Sequence, residues 1–267
     1  RRTLPTEEEQ VEIYRRLIEA LRGRRVTIRT FDLRPDKLAQ GSSAAPSSTH
    51  ALDWRLVLEA PNLQRMFKEQ VRAVLRAAAA GPVRLLVPLV SRTALLDLAL
   101  ATVEEARREL VAEGLPFGAD VPFGAMIETS SAVPMAESWA KRVDYFAVGT
   151  NDLIASALGL SREDPVGARA DDVMHPGLIR MLAGVIDAAH KRGRPVSTCG
   201  EMAGDPAGTV ILAALGADSL SVAVDRLADV RRHLTGIRPA DLPAMRSRLL
   251  EAETAEAVAQ VIGRRES

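Results

Sequence analysis

The chain has 267 residues in which 35 Lys and Arg balance 35 Asp and Glu, so the formal net charge is zero. Hydrophobic residues at 47% against 26% charged supply a sizeable core, and the lack of a basic excess argues against nucleic acid or an anionic membrane as the main partner. One cysteine excludes an internal disulfide, no apolar run approaches the roughly 18 residues of a spanning helix, and the charged start, Arg1 to Gln10, does not read as a signal peptide. A cytoplasmic protein is expected.

Leu4-Pro5-Thr6-Glu7-Glu8-Glu9-Gln10 opens a helix, with Thr6 as cap, Glu9 completing a capping box and acidic residues filling the first turn. Val11, Tyr14, Leu17, Ile18 and Leu21 continue one face before Gly23 stops it. Val26 to Phe31 reads as a strand, and the Ser-, Ala-, Gly- and Pro-rich stretch from Gln40 to Thr49 as a mobile surface loop. Leu52 to Leu58 forms a short strand-like segment carrying Arg55. Leu63, Phe67, Val71, Val74 and Leu75 mark the buried stripe of a helix from about Asn62 to Ala80. A strand from Val83 to Leu89 and a helix from Arg92 to Glu113 with a charged outer face follow.

Phe123 to Glu128 is a strand ending in a carboxylate, and Val133 to Arg142 a helix. The apolar run Tyr145 to Val148 ends in Gly149-Thr150-Asn151-Asp152, read as a small polar turn. A helix from Pro176 to Arg192, ended by Gly193, leads to the strand Arg194 to Glu201, which carries Cys199. Ala217 to Val222 is the last strand, and two helices finish at about Leu234 and Ile262. Strands separated by helices argue for a parallel sheet with right-handed crossovers, most simply a barrel; one such barrel needs about 250 residues.

Three strand ends carry Glu128, Asn151-Asp152 and Cys199-Gly200-Glu201, and the C-terminal ends of parallel strands are where α/β folds place their chemistry. Glu128 and Asp152 are hard oxygen ligands suited to magnesium; each reads equally as a helix cap. Arg29 and Arg55 suit bidentate phosphate binding, or surface ion pairing. Cys199 is either a small buried residue or an acid or nucleophile.

Val-Gly-Thr-Asn-Asp-Leu at 148–153, Thr-Cys-Gly-Glu-Met-Ala-Gly-Asp at 198–205, Met-Ile-Glu-Thr at 126–129 and Leu-Pro-Thr-Glu-Glu-Glu-Gln at 4–10 resemble the C-terminal phosphoenolpyruvate-binding domain of enzyme I of the bacterial sugar phosphotransferase system. Related barrels occur in pyruvate phosphate dikinase and phosphoenolpyruvate synthase. The resemblance spans nearly the whole chain. It implies one domain, 1–267, with a (β/α)8 TIM-type barrel fold that lacks its first strand in this chain.

By the same resemblance, phosphoenolpyruvate and magnesium sit at the strand ends. Glu128 and Asp152 match metal ligands, while Arg29, Arg55, Asn151 and Arg162 match substrate contacts. Cys199 matches the acid that protonates the enolate as pyruvate forms. The phosphoryl group passes to a histidine on a separate N-terminal domain and thence to the phosphocarrier protein; that histidine domain has no counterpart here, and His50, His175, His190 and His233 lie outside the family's phosphohistidine motif. A homodimer is implied.

The chain departs from the family pattern around the phosphate. Arg34-Pro35 replaces Gly-Gly after Ile-Arg-Thr, and Asp53 stands where the family has glycine, two residues before Arg55. An opposed unit charge a few ångströms from a phosphate-binding arginine is worth roughly 4 kcal/mol at an effective dielectric near 20. The alternative is therefore a diverged domain that senses phosphoenolpyruvate, or dimerises, without catalysis. A magnesium-dependent lyase or aldolase is a weaker reading, opposed by the Cys-Gly-Glu segment and Arg162.

Overall fold

The computed structural model describes residues 5–31, 60–160 and 170–263. The loop expected at 40–49, the strand expected at 52–58, and Arg34, Pro35, Asp53, Arg55 and Arg162 lie outside them. The fold is α/β, and each strand pairing below is parallel. Two compact units divide the chain, Arg1–Ala125 and Met126–Ser267, with the boundary inside a strand.

In the first unit, α1 (Glu7–Ala20) starts as its sequence dictates. The Thr6 hydroxyl accepts the Glu9 N–H at 3.3 Å, and Glu9 accepts the Thr6 N–H at 3.0 Å, closing the capping box. β1 (Val26–Arg29) pairs with β2 (Val83–Val87) in the register Val26↔Val83 to Arg29↔Leu86. β2 pairs with the start of β3 (Phe123–Ile127), Leu85↔Phe123 to Val87↔Ala125. Between the first two strands lies α2 (Pro61–Ala77), whose Leu63, Phe67, Val71, Val74 and Leu75 are all buried, as their spacing predicts.

The charged face of α3 (Thr93–Ala112) is not simply a solvent face. Lys68 of α2 bridges Glu105 at 3.1 Å and Glu109 at 2.7 Å, and Arg72 reaches Glu109 at 3.0 Å and Glu113, just past the helix, at 2.6 Å. Arg72 also bonds Glu7 of α1 at 2.7 Å, and Arg76 bonds Glu7 and Glu8 at 2.7 and 2.6 Å. The acidic first turn that favours helix initiation thus also receives two arginines of α2.

In the second unit a 3-10 turn and the short α4 (Ala136–Trp139) stand where one continuous helix to Arg142 is expected. Trp139 is fully buried, and this short segment suffices to seat it. β4 (Tyr145–Gly149) is buried along its whole length and runs straight into α5 (Thr150–Leu158). The expected Gly-Thr-Asn-Asp turn is therefore the first turn of a helix, with Asp152 where the helix N-terminus favours a carboxylate.

After α6 (Ala170–Val173), α7 (Pro176–His190) precedes β5 (Val196–Cys199), and Gly193, at φ 64, turns the chain between them. β5 passes through α8 (Glu201–Gly204) and α9 (Pro206–Leu215) to β6 (Ser219–Ser221). The C-terminal part holds α10 (Leu227–Thr235), α11 (Leu242–Glu251) and α12 (Ala255–Gly263). The single last helix expected from the sequence is split because Ala252 is extended, at ψ 136, and Thr254 caps anew by accepting the Ala257 N–H at 3.2 Å. Six of the seven expected strands fall among the described residues, and each is present.

Candidate functional site

The second unit brings together most of the polar strand ends singled out from the sequence. β4 and β5 pair from Phe146↔Val196 to Gly149↔Cys199, so the two strands end side by side. Alternation along β5 puts Ser197 and Cys199 on one face, where Ser197 Oγ donates to the Phe146 carbonyl and Cys199 Sγ to the Val148 carbonyl at 3.5 Å. Cys199 is half-buried.

One step further along, the Asn151 side chain is fixed. Its Oδ1 accepts the Glu201 N–H at 2.8 Å, which leaves the amide NH2, a donor group suited to an anionic oxygen rather than to a metal ion. Thr150, fully buried, donates from Oγ1 to the Cys199 carbonyl at 2.8 Å. Gly200, at φ 105, closes this corner. A Cβ there would strike Thr150 Oγ1 and lie 2.6 Å from Asn151 Oδ1, so the close approach of the two strand ends requires glycine.

Glu128 follows β3 directly and is 3% exposed. Its side chain lies against the end of β4: a Cβ on Gly149 would stand 3.0 Å from both Glu128 Cβ and Oε2, and 3.2 Å from Met126 Sδ. The loop after Glu128 is tied to α5, where Ser156 Oγ accepts the Ser130 N–H at 3.0 Å and exchanges a hydroxyl bond with Ser130 Oγ at 2.9 Å. Glu128 thus lies against the end of β4, and the loop that follows it is anchored to α5. Asp152 lies half-buried in the first turn of α5, on the same short segment as Asn151.

Glu128 and Asp152 are hard-oxygen donors, while the soft Cys199 thiol is engaged with the Val148 carbonyl. Among the described residues no group of three or more His, Cys, Asp or Glu is arranged to hold a metal ion. Carboxylates of this kind suit a magnesium ion that keeps several waters and takes the rest of its shell from a substrate, and do not suit a dedicated all-protein cage.

In the first unit Arg29 ends β1 on the exposed face it shares with Thr27, opposite buried Val26 and Ile28. Across the register Arg84 Nε donates to Thr27 Oγ1 at 2.6 Å. The exit of this strand is anchored by a relay of polar side chains: Gln70 Oε1 accepts the Phe31 N–H at 2.8 Å, Gln70 Nε2 donates to Tyr14 at 3.0 Å, and Tyr14 donates to Gln10 at 3.3 Å. Burial pushes the Tyr14 phenol up, while the bond from Gln70 acts the other way. Sequence reading placed Tyr14 on an apolar stripe and missed this relay. It also read Thr150, Gly149 and Gly200 only as turn and strand-end residues, whereas their roles arise from contacts between segments far apart in the chain; the one signal was that small and hydroxyl residues gather at these strand ends.

A family model described as PEP-utilising enzyme, PEP-binding domain, matches residues 1–238. The phosphoenolpyruvate-protein phosphotransferase of Cupriavidus necator is 37% identical over 233 residues, which cover 86% of this chain and 40% of that protein. The protein of the same name from Geobacillus stearothermophilus is 33% identical over 264 residues, covering 99% of this chain and 46% of that one. The chain therefore spans less than half the length of these curated relatives. Among solved structures, a citrate lyase from Burkholderia xenovorans LB400 aligns at 20% identity and a TM-score of 0.48, covering 74% of this chain and 67% of that one.

Proposed function

The chain belongs to the PEP-utilising enzymes, as their PEP-binding domain, and from that premise we propose that it binds phosphoenolpyruvate with magnesium and supports phosphoryl transfer to a histidine on a separate N-terminal domain, releasing pyruvate. The observation that carries the reading is the meeting of Asn151 and Cys199 at paired strand ends, joined by the Asn151–Glu201 bond. The same reading makes the fold a TIM-type barrel, and the working protein a cytoplasmic homodimer that passes its phosphoryl group to the phosphocarrier protein.

In this reading Glu128 and Asp152 hold magnesium, which when bound supplies charge neutralisation for the phosphoryl and enolate oxygens. Arg29, Arg55 and Arg162 bind the phosphate and carboxylate of the substrate, and the NH2 of Asn151 orients it. The bond between phosphorus and the enol oxygen breaks as one between phosphorus and the histidine nitrogen forms, and the electron pair stays on the enol oxygen. The enolate then takes a proton at its methylene carbon from the Cys199 thiol, and the thiolate recovers its proton from water. Phosphoryl transfer asks mainly for positioning and charge stabilisation, which arginines and a hard-oxygen metal site provide.

Calorimetric titration of this chain with phosphoenolpyruvate, with and without magnesium, tests the proposal. Binding that needs magnesium and is lost in Arg162→Ala supports it. A folded chain that binds no phosphoenolpyruvate overturns it. Binding without transfer, once the histidine domain is supplied, favours the alternative of a diverged sensing domain, to which the charge of Asp53, two residues before Arg55 in the sequence, points.

A further inference from the structure

We propose that Thr150 is a positioning residue for Cys199, holding the Cys199–Gly200 corner so that the thiol is presented from a fixed place; its catalytic meaning rests on the acid role proposed above for Cys199. Thr150 is completely buried, and its hydroxyl donates to the carbonyl of the cysteine itself at 2.8 Å. Two further side-chain bonds flank it where the end of β4 meets the end of β5. On one side Cys199 Sγ donates to the Val148 carbonyl at 3.5 Å, and on the other Asn151 Oδ1 accepts the Glu201 N–H at 2.8 Å.

The corner is built around that hydroxyl. Gly200 stands at φ 105, and any Cβ it carried would collide with Thr150 Oγ1. A carbonyl that loses the Thr150 donor loses one of the contacts that fix its direction, and the peptide that bears it gains freedom to turn. Because Cys199 is joined to that carbonyl through its own Cα, the thiol moves with it.

Cys199 is the single cysteine of the chain, so its alkylation by iodoacetamide reports on this corner alone, without substrate or metal. Thr150→Val removes the donor at nearly constant volume, and Thr150→Ser keeps it. The expected result is native-state alkylation roughly fivefold faster in Thr150→Val, the factor one net hydrogen bond carries, with Thr150→Ser close to the parent. Thr150→Ala makes the same comparison if valine does not fold. A purely structural role would lower the melting temperature of the folded variants and leave the alkylation rate alone, and that result overturns the proposal, as does a rate in Thr150→Val equal to or below the parent's. Phosphoenolpyruvate titration of the parent chain judges the phosphotransfer reading separately, so one can fail without the other.

Discussion

Gly149→Ala tests whether the Glu128 carboxylate is held where a metal needs it. Gly149 has φ −84, which alanine adopts without strain, so the perturbation is one of space alone. The new methyl would stand 3.0 Å from Glu128 Cβ and Oε2 and 3.2 Å from Met126 Sδ, inside the roughly 3.5–4.0 Å at which carbon atoms attract. Glu128 is 3% exposed and cannot swing into water, so relief requires an off-rotamer side chain or separation of the strand ends. Overpacking of this kind costs about 1–3 kcal/mol, and the lower chain entropy of alanine in the unfolded state offsets about 0.4–1 kcal/mol. A net loss of about 1–2 kcal/mol is expected in urea unfolding. Displacing a ligand's support weakens metal binding about 10–100-fold, and calorimetry of magnesium-dependent phosphoenolpyruvate binding reads that directly. Gly184→Ala, in α7 with nothing within 4 Å of its Cβ position, is the control and stabilises by about 0.5–1 kcal/mol. A Gly149→Ala protein with the parent's urea midpoint and magnesium dependence would refute the reasoning.

Asp152→Asn abolishes magnesium-dependent binding while leaving the circular dichroism spectrum unchanged; titrations equal to the parent's remove Asp152 from the metal site. Arg72→Met leaves Glu7, Glu109 and Glu113 without their shared guanidinium and lowers stability by about 2 kcal/mol, less than a fully buried pair because the Glu113 side chain is 47% exposed; an unchanged denaturation midpoint contradicts this. The bond from Lys68 holds the Glu109 carboxyl below its ordinary range. The stability this contributes is complete above the unfolded glutamate value, near pH 4.3, and is lost as pH falls through the folded value. Glu109 in turn raises Lys68, whose contribution is complete below about pH 10.4 and is lost as pH rises through the folded value. The melting-temperature gap between the parent and Lys68→Met is therefore flat from pH 5 to 9 and shrinks below about pH 4; a gap that widens in acid is the wrong sign. Thr6→Ala breaks the capping box and costs about 1 kcal/mol, measured by thermal unfolding.

Local signals alone determined much of this chain. The Thr6–Glu9 box started α1 where three residues of spacing said it would, and the apolar stripe from Leu63 to Leu75 was buried as its period required. Strands flanked by helices followed from runs too short and too apolar to be anything but buried. The candidate residues Glu128, Asn151, Asp152 and Cys199 were legible because polar groups directly after such runs interrupt the pattern. Sequence spacing says nothing, however, about which strand end stands beside which.

Only the folded second unit decided that Gly149 and Cys199 lie in register, that Gly149 is small because Glu128 lies against it, and that Gly200 is glycine because Thr150 and Asn151 occupy its side-chain space. Thr150 looked like a turn residue and is a buried donor to a carbonyl 49 positions away. The glutamates of α3 looked like a solvated face and instead meet Lys68 and Arg72 about 40 residues earlier in the chain. Periodicity records how each element divides between core and water, a property of one segment at a time. A hydrogen bond or a steric limit between segments depends on register and approach, which exist only once the strands have paired and the helices have packed.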